Sequence, residues 1–203
     1  MKKKDFKKEK LSVFFEKQYK ASWKYVRESK NFIYSIILLF FVFAVIGFFV
    51  PVPESIQVQI LEYFESIVAQ TQGLSWLELI SFLLNNNAVS GFFVLFSGFA
   101  LGIFPIFSTI INGFILGFAS SFAVSNGGIF SLWKILPHGI FELPAIFISF
   151  GLGLKFSTFI FKKNKWEAFK LFLEKSILAY VFIILPLLVI AAIIEGTLIF
   201  FRF

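Results

Sequence analysis

The sequence lacks the residues on which several classes of protein depend. It has no cysteine, so disulfides, thiolate nucleophiles and cysteine-ligated zinc sites are excluded. It has one histidine, which excludes a multi-histidine metal site within one protomer. Charged residues make up only 15% of the 203 positions, well below the roughly 25% of an ordinary soluble domain. A disordered chain and a disulfide-rich secreted domain are therefore both excluded.

Apolar residues make up most of the chain. They form 58% of the chain, and 33 residues are phenylalanine. A soluble domain of this length could not bury so much apolar surface, whereas a bilayer accepts it. Because backbone polar groups must be satisfied within lipid, the predicted class is an all-α, polytopic membrane helical bundle.

Charge is distributed unevenly along the chain. Residues 1–30 hold 11 Lys or Arg against four acids, and residues 31–133 hold four Glu and no Lys or Arg. Residues 155–175 hold six Lys and two Glu. Cytoplasmic flanks of membrane helices collect Lys and Arg. We therefore predict that both basic segments are cytoplasmic and that residues 51–78 are external, in a multi-pass protein of the cell membrane.

The basic N-terminus, residues 1–30, carries apolar residues at helical spacing between its lysines. They are Leu11, Phe14, Phe15, Tyr19, Trp23 and Val26. This pattern predicts an interfacial helix whose partner is the anionic headgroups of the bilayer. A solvated basic tail is the alternative. We expect no nucleic-acid arm, because a span follows at once, and no cleavable signal peptide, because no small-residue cleavage site follows the apolar run.

Apolar runs divide residues 31–203 into a single bundle of about five spans. Their predicted bounds are 31–50, 88–104, 106–124, 135–154 and 176–194. The first has 20 residues, which at 1.5 Å per residue crosses a hydrocarbon core of roughly 30 Å. The second and third spans are predicted to be joined by a tight hairpin at Pro105, and two full crossings are preferred over a half-depth re-entrant hairpin. With the N-terminus inside, the C-terminus is predicted outside.

The segments between the spans have their own helical patterns. Residues 54–70 place apolar side chains at helical spacing among Glu and Gln, which predicts an external amphipathic helix lying against the bundle or a partner. Ser75 followed by Glu78 is a capping box, so another helix should start near Trp76. Residues 165–175 predict a further amphipathic helix, and Pro186 predicts a kink in the last span.

The densest polar group within the predicted spans is Pro137-His138-Gly139-Ile140-Phe141-Glu142-Leu143-Pro144. His138 and Glu142 are four residues apart and so share one helix face. Ionisable groups in a span usually face the interior, a cavity or each other. Pro144 cannot donate to the carbonyl of residue 140, which leaves an acceptor beside Glu142.

Three interpretations of His138 and Glu142 remain open. The preferred one is a hydrogen-bonded structural cluster that fixes the fold. The second is a proton or ion site in which Glu142 titrates, and the third is a metal site that a symmetric dimer would complete. Asn87 and Asn112 are added to the same intramembrane polar site, because an unpaired amide in hydrocarbon costs several kcal/mol. No cofactor and no resident metal are predicted.

Small residues cluster in the middle spans. The positions predicted to pack or kink helices are Gly98, Gly102, Gly113, Gly117, Gly139 and Pro144. Glycines four apart let helix backbones approach closely. Together with the many phenylalanines they predict a homo-oligomer, with a dimer preferred. A permeation path lined by small residues is the alternative.

Motifs of soluble catalysis are absent from the sequence. It has no Gly-rich phosphate loop, no G-x-S-x-G and no H-E-x-x-H. Aspartate occurs once, at Asp5, so the aspartate pair of a membrane-embedded hydrolase is also excluded. The protein is therefore predicted not to be an enzyme.

Three stretches resemble the stage II sporulation protein M family. They are Ser22-Trp23-Lys24-Tyr25-Val26-Arg27-Glu28-Ser29, Asn112-Gly113 followed by Gly117, and Leu136-Pro137-His138-Gly139-Ile140-Phe141-Glu142-Leu143-Pro144-Ala145. The last is the specific one, and the resemblance extends over residues 20–200. It implies a five-span membrane protein with Asn112, Gly113, His138, Glu142 and Pro144 as its shared core. The namesake in spore formers is the membrane anchor of a cell-wall hydrolase complex, which implies a non-enzymatic scaffold.

Two functions from different classes are therefore predicted. The preferred function is a membrane scaffold that recruits unidentified membrane or envelope proteins through residues 54–78 and the lysine-rich segments. The alternative is a small channel or transporter, in which the Gly-rich hairpin and the pair His138 and Glu142 line a route near the midplane. The scaffold is preferred because one Glu, one His and two Asn are few polar groups for a route.

Overall fold

The chain forms a bundle of α-helices in a computed structural model, which describes residues 2–134 and 136–201, with side chains over 12–132 and 142–201. The helices are α1 (Lys2–Glu28), α2 (Lys30–Phe49), α3 (Glu54–Thr71), α4 (Trp76–Ser97), α5 (Ile103–Gly127), α6 (Leu136–Ser157), α7 (Lys165–Ala179) and α8 (Leu185–Phe200). Within the residues that the structure describes, five helical segments are long and apolar enough to cross a membrane. The all-α polytopic bundle predicted from composition is therefore confirmed.

The second and third spans have different bounds from those predicted. α4 begins at Trp76 rather than at residue 88, because Ser75 and Glu78 form the expected capping box, in which the Ser75 backbone N–H donates to Glu78 Oε2 at 2.8 Å. The turn that follows occupies residues 98–102, where Gly102 has a left-handed φ of 72°. Pro105 lies in the first turn of α5, where its missing N–H costs no helical bond.

Both of these helices are long enough for a full crossing. α4 has 22 residues and α5 has 25, which at 1.5 Å per residue gives about 33 Å and about 38 Å. The three consecutive asparagines at 85–87 lie inside α4 and do not interrupt it. These lengths fit two crossings better than a half-depth hairpin.

The last span is part of one continuous helical segment, Lys165–Phe200, of 36 residues. The amphipathic helix predicted at 165–175 and the span predicted from residue 176 are thus a single rod. A π-helical turn, Tyr180–Ile184, joins α7 to α8, and the Leu185 N–H donates to the Tyr180 carbonyl. Because Pro186 has no N–H and its ring crowds the preceding turn, the wider π-helical turn accommodates it.

Contacts between the spanning helices show their relative directions. α2 and α5 make the most extensive contact between helices. They run parallel, because Gly113 lies beside Phe40 and, one turn later in both helices, Gly117 lies beside Ala44. Their backbones are as close as in the glycine-mediated crossings of other membrane helices.

α6 runs antiparallel to α2. The Phe147 ring packs edge-on to the Phe40 ring, while Gly151, one turn later, lies beside Ile33. α4 and α8 pack against α6 and against each other, so the apolar core is shared by α2, α4, α6 and α8. The consecutive spans therefore alternate in direction.

The two lysine-rich segments meet at the same end of the bundle, here called the basic end. The hydroxyl oxygens of Tyr25 in α1 and Ser176 in α7 are 3.5 Å apart, and Lys155 Nζ donates to Ser29 Oγ at 2.9 Å. α3, with its glutamates, follows the other end of α2, here called the acidic end. α1 also reaches the π-helical turn, where the Phe15 and Phe182 rings are 6.0 Å apart.

Candidate functional site

The polar motif that the sequence singles out lies in the first half of α6. Its carboxylate, Glu142, is half-buried, and Pro144 lies inside the helix and is exposed. His138 and Gly139 fall in the part of α6 whose side chains are outside those described. The predicted pairing of His138 with Glu142 therefore stays a prediction.

Glu142 lines a groove of about 770 Å³ between α2, α5 and α6. Most of the groove is apolar, with four phenylalanines of α2 along one wall and Phe64 of α3 at the acidic end. Among the described side chains, its polar groups are Glu142, Asn112 and Ser120. This described lining presents one carboxylate, one amide and one hydroxyl within an aromatic surface between spanning helices.

The structure brings only part of the predicted polar site together. Asn112 and Glu142 share the groove, and Asn112 Nδ2 donates to the Ser108 carbonyl of its own helix at 2.7 Å. Asn87 lies on α4 and is not among the residues described along this groove; its Oδ1 accepts from Asn86 Nδ2 at 3.4 Å. The two asparagines thus belong to different faces of the bundle.

The predicted glycine positions act mainly as sites of backbone contact. Gly113 and Gly117 of α5 face the α2 backbone, and Gly98 at the end of α4 faces the α6 backbone. A Cβ at any of the three would overlap a carbonyl oxygen of the neighbouring helix, so only glycine fits there. Gly102 serves the turn instead, since its φ of 72° is one that other residues rarely adopt.

Direct hydrogen bonds between spans come from residues that sequence reasoning did not single out. Ser149 Oγ donates to the Gly91 carbonyl at 2.6 Å, joining α6 to α4. Tyr180 Oη donates to the Ala88 carbonyl at 2.7 Å, joining the π-helical turn to α4. Ser149 and Gly153 are four residues apart and both face α4, so their small-residue spacing is the signal that could have indicated this contact.

A second polar group, also missed from the sequence, lies at the basic end. Lys155 Nζ is 4.1 Å from the centroid of the Tyr25 ring and donates to Ser29 Oγ. Burial raises the pKa of Tyr25 from its ordinary value of 10.0 to about 12. Tyr25 and Ser29 belong to the stretch 22–29 that carries the family resemblance, and their role is to hold α1 onto α6 and α7.

α3 presents the third candidate surface. No residue of this helix is buried, although it carries a full apolar face. The half-buried residues of this face are Ile60, Leu61, Phe64 and Ile67, and Phe64 lines the groove between α2, α5 and α6. Ile56 and Tyr63 extend this face beyond the bundle and are exposed. A shallow cleft of about 450 Å³ lies between the end of α3 and the start of α4 and includes Glu78.

Comparisons with known proteins match most of the chain. The sequence model of the family described as Stage II sporulation protein M matches residues 36–198. An uncharacterized protein of Methanocaldococcus jannaschii is 28% identical over 176 residues, which cover 83% of this chain and 78% of that protein. No solved structure matches the chain significantly.

Proposed function

Because the chain belongs to the stage II sporulation protein M family, we propose that it is an integral membrane scaffold of the cell membrane that recruits partner proteins. It is a multi-pass membrane protein of that family. The scaffold places its lysine-rich end in the cytoplasm and its acidic end outside, acts as a homo-oligomer with a dimer preferred, and catalyses no reaction. The acidic end carries the recruiting surface.

The observation that supports recruitment is the incompletely covered apolar face of α3. This 18-residue helix has no buried residue, yet its apolar face is wider than the strip that touches the bundle. Exposed apolar surface on an otherwise charged external helix marks an interaction site. Ile56 and Tyr63 are seven residues apart, nearly two turns, and so form a single exposed edge.

The test compares two edges of α3. Ile56 is 44% exposed and Val58 is 46% exposed, but two residues on a helix point in different directions. The variant Ile56→Ser/Tyr63→Ser should lose a partner that cross-links to, and co-purifies with, the wild-type protein from native membranes. Val58→Ser, matched in exposure, should retain it.

Stability measurements separate loss of recruitment from loss of folding. Exposed substitutions of this kind change stability by about 0.5 kcal/mol or less, so all three proteins should have closely similar melting temperatures in detergent. Retention of every co-purifying protein by Ile56→Ser/Tyr63→Ser would argue against recruitment by α3.

The groove favours a second candidate function, which is transport. Glu142 and Asn112 line one groove of about 770 Å³ between spanning helices, and a carboxylate within a spanning helix is a usual mark of a transport site. A reconstituted protein that moved protons across liposomes, and lost this activity on Glu142→Gln, would favour transport. Equal proton flux with and without the protein would favour the scaffold.

A further inference from the structure

Two ammonium groups converge on one aromatic ring at the basic end. Lys155 Nζ, in the last turn of α6, is 4.1 Å from the Tyr25 ring centroid, and Lys175 Nζ, in α7, is 5.7 Å from the same centroid. The Tyr25 ring is 2% exposed. A cation close to a ring face is attracted by the ring quadrupole. Three helices thus bring two positive charges to one place.

Hydroxyl groups fix this arrangement. Lys155 Nζ donates to Ser29 Oγ at 2.9 Å, and Ser29 Oγ in turn donates to the Tyr25 carbonyl at 2.6 Å. Ser29 is fully buried, and Ser176, whose Oγ is 3.5 Å from Tyr25 Oη, is fully buried as well. The position of Lys155 is therefore set by buried groups, unlike that of a lysine on a solvated face.

Within the described side chains, neither Lys155 nor Lys175 forms an ion pair at salt-bridge distance. An ammonium group has three donors, and Lys155 gives one to Ser29. The ion pair found among the described side chains joins Glu16 to Lys20 on the outer face of α1. Glu28, whose charge acts on Lys155, lies beyond ion-pair distance. Placing two like charges together is unfavourable unless an anion offsets them.

We propose that Lys155 and Lys175, brought together at Tyr25, bind the phosphate group of an anionic glycerophospholipid. The site lies where α6 ends and the last span begins, which is the level of the headgroups at the basic end. Leu171, exposed and one turn before Lys175 on the α7–α8 rod, offers apolar surface to the acyl chains. This site is distinct from non-specific attraction of the α1 lysines to the leaflet.

The test uses the full-length protein in a neutral detergent. Phosphatidylglycerol, phosphatidylcholine and inorganic phosphate are added separately, and the melting temperature and the lipid retained in native mass spectrometry are measured. Phosphatidylglycerol should raise the melting temperature by mass action, phosphatidylcholine should raise it less, and inorganic phosphate should leave it unchanged. An equal shift with inorganic phosphate would overturn the assignment to a lipid.

Variants locate the site. Lys175→Gln and Lys155→Gln/Lys175→Gln should weaken phosphatidylglycerol binding about tenfold or more. The control is Lys170→Gln, since Lys170 also lies over an aromatic ring, at 5.1 Å from the Trp166 centroid, but on the exposed side of α7. If the double variant does not fold, phosphatidylglycerol binding by Lys175→Gln alone tests the site. Unchanged phosphatidylglycerol binding in Lys175→Gln, or an equal loss in Lys170→Gln, would refute the proposed site.

Discussion

The hydroxyl of Ser149 in α6 donates a 2.6 Å hydrogen bond to the backbone carbonyl oxygen of Gly91 in α4. Both residues are buried between the two helices. The two helices approach closely enough for a short hydroxyl to reach the backbone because small residues line their contact, where Gly98 lies against the Gly153 backbone. The bond joins α4 and α6, which run parallel and are separated in the sequence by α5.

Removal of this hydroxyl should destabilise the bundle modestly. Ser149→Ala leaves the shape nearly unchanged but deletes the interhelical bond, and such bonds in membrane proteins contribute about 0.6 kcal/mol. Thermal unfolding in detergent should show a small decrease in melting temperature. Ser35→Ala is the control, because Ser35 donates only to the Asn31 carbonyl of its own helix and is exposed. Equal melting temperatures for the two variants would show that the Ser149 bond contributes nothing.

Two glycines should respond oppositely to alanine. In Gly117→Ala the new methyl would overlap the Ala44 carbonyl oxygen, and overpacking of this kind costs about 1–3 kcal/mol. In Gly91→Ala the nearest neighbouring atom, Ser149 Oγ, is 3.6 Å from the new carbon, so the higher helix propensity of alanine should leave stability unchanged or raised. Unfolding in detergent measures both. A Gly117→Ala protein as stable as wild type would show that the contact between α2 and α5 is looser than described.

The start of α4 should depend on Ser75. Its backbone N–H and its Oγ both donate to Glu78 Oε2, at 2.8 Å and 2.6 Å. Ser75→Ala should cost about 1 kcal/mol by removing the cap, whereas Ser75→Asp should retain most of the stability. Amide hydrogen exchange should show faster exchange in the first turn of α4 in Ser75→Ala only. Identical exchange in both variants would contradict a role for the cap.

Tyr25 should be the source of an alkaline transition in stability. Its folded pKa is raised to about 12 by burial, above the ordinary 10.0, so the folded state holds the proton more tightly than the unfolded state. The contribution of Tyr25 to stability should be constant below pH 10 and be lost between pH 10 and about pH 12. When tyrosinate formation is followed by ultraviolet absorbance, Tyr25→Phe should remove the step that occurs at the highest pH. Persistence of that step in Tyr25→Phe would assign it to another residue.

Single cysteines test the orientation of the bundle, since the chain has no cysteine of its own. Lys17→Cys and Lys163→Cys should both react with a membrane-impermeant maleimide only when the cytoplasmic face is opened. Glu62→Cys, in α3, should react in intact cells. All three positions are exposed. Labelling of Lys163→Cys in intact cells would reverse the predicted orientation.

Particular residues show how far the sequence alone could be interpreted. Ser75 and Glu78 predicted the start of α4 correctly, because a capping box is a local arrangement of four residues. Pro105 was wrongly predicted as the hairpin apex, because proline fits both a turn and the first turn of a helix. The bend is at 98–102, where Gly102 takes the left-handed conformation. Glycine spacing alone did not distinguish a turn from a packing position.

The candidate site was predicted only in part for a related reason. Asn112 and Glu142 line the same groove although 30 residues separate them in the sequence. They do so because α5 and α6 contact each other and both pack against α2. Asn87, like Asn112, belongs to a predicted apolar region, yet it lies on α4 and does not line this groove. The pairing of Lys155 with Ser29 across 126 positions had no signal in the sequence.

Composition and charge order by themselves determined that this protein is an all-helical membrane bundle, since lipid demands long apolar segments with internally satisfied backbones. The tertiary structure decided which helices are neighbours, and hence which polar side chains share a groove and which lysines share a ring. The physical reason is that hydropathy is a property of each segment alone, whereas close packing depends on the shapes of two surfaces that meet only in the folded chain.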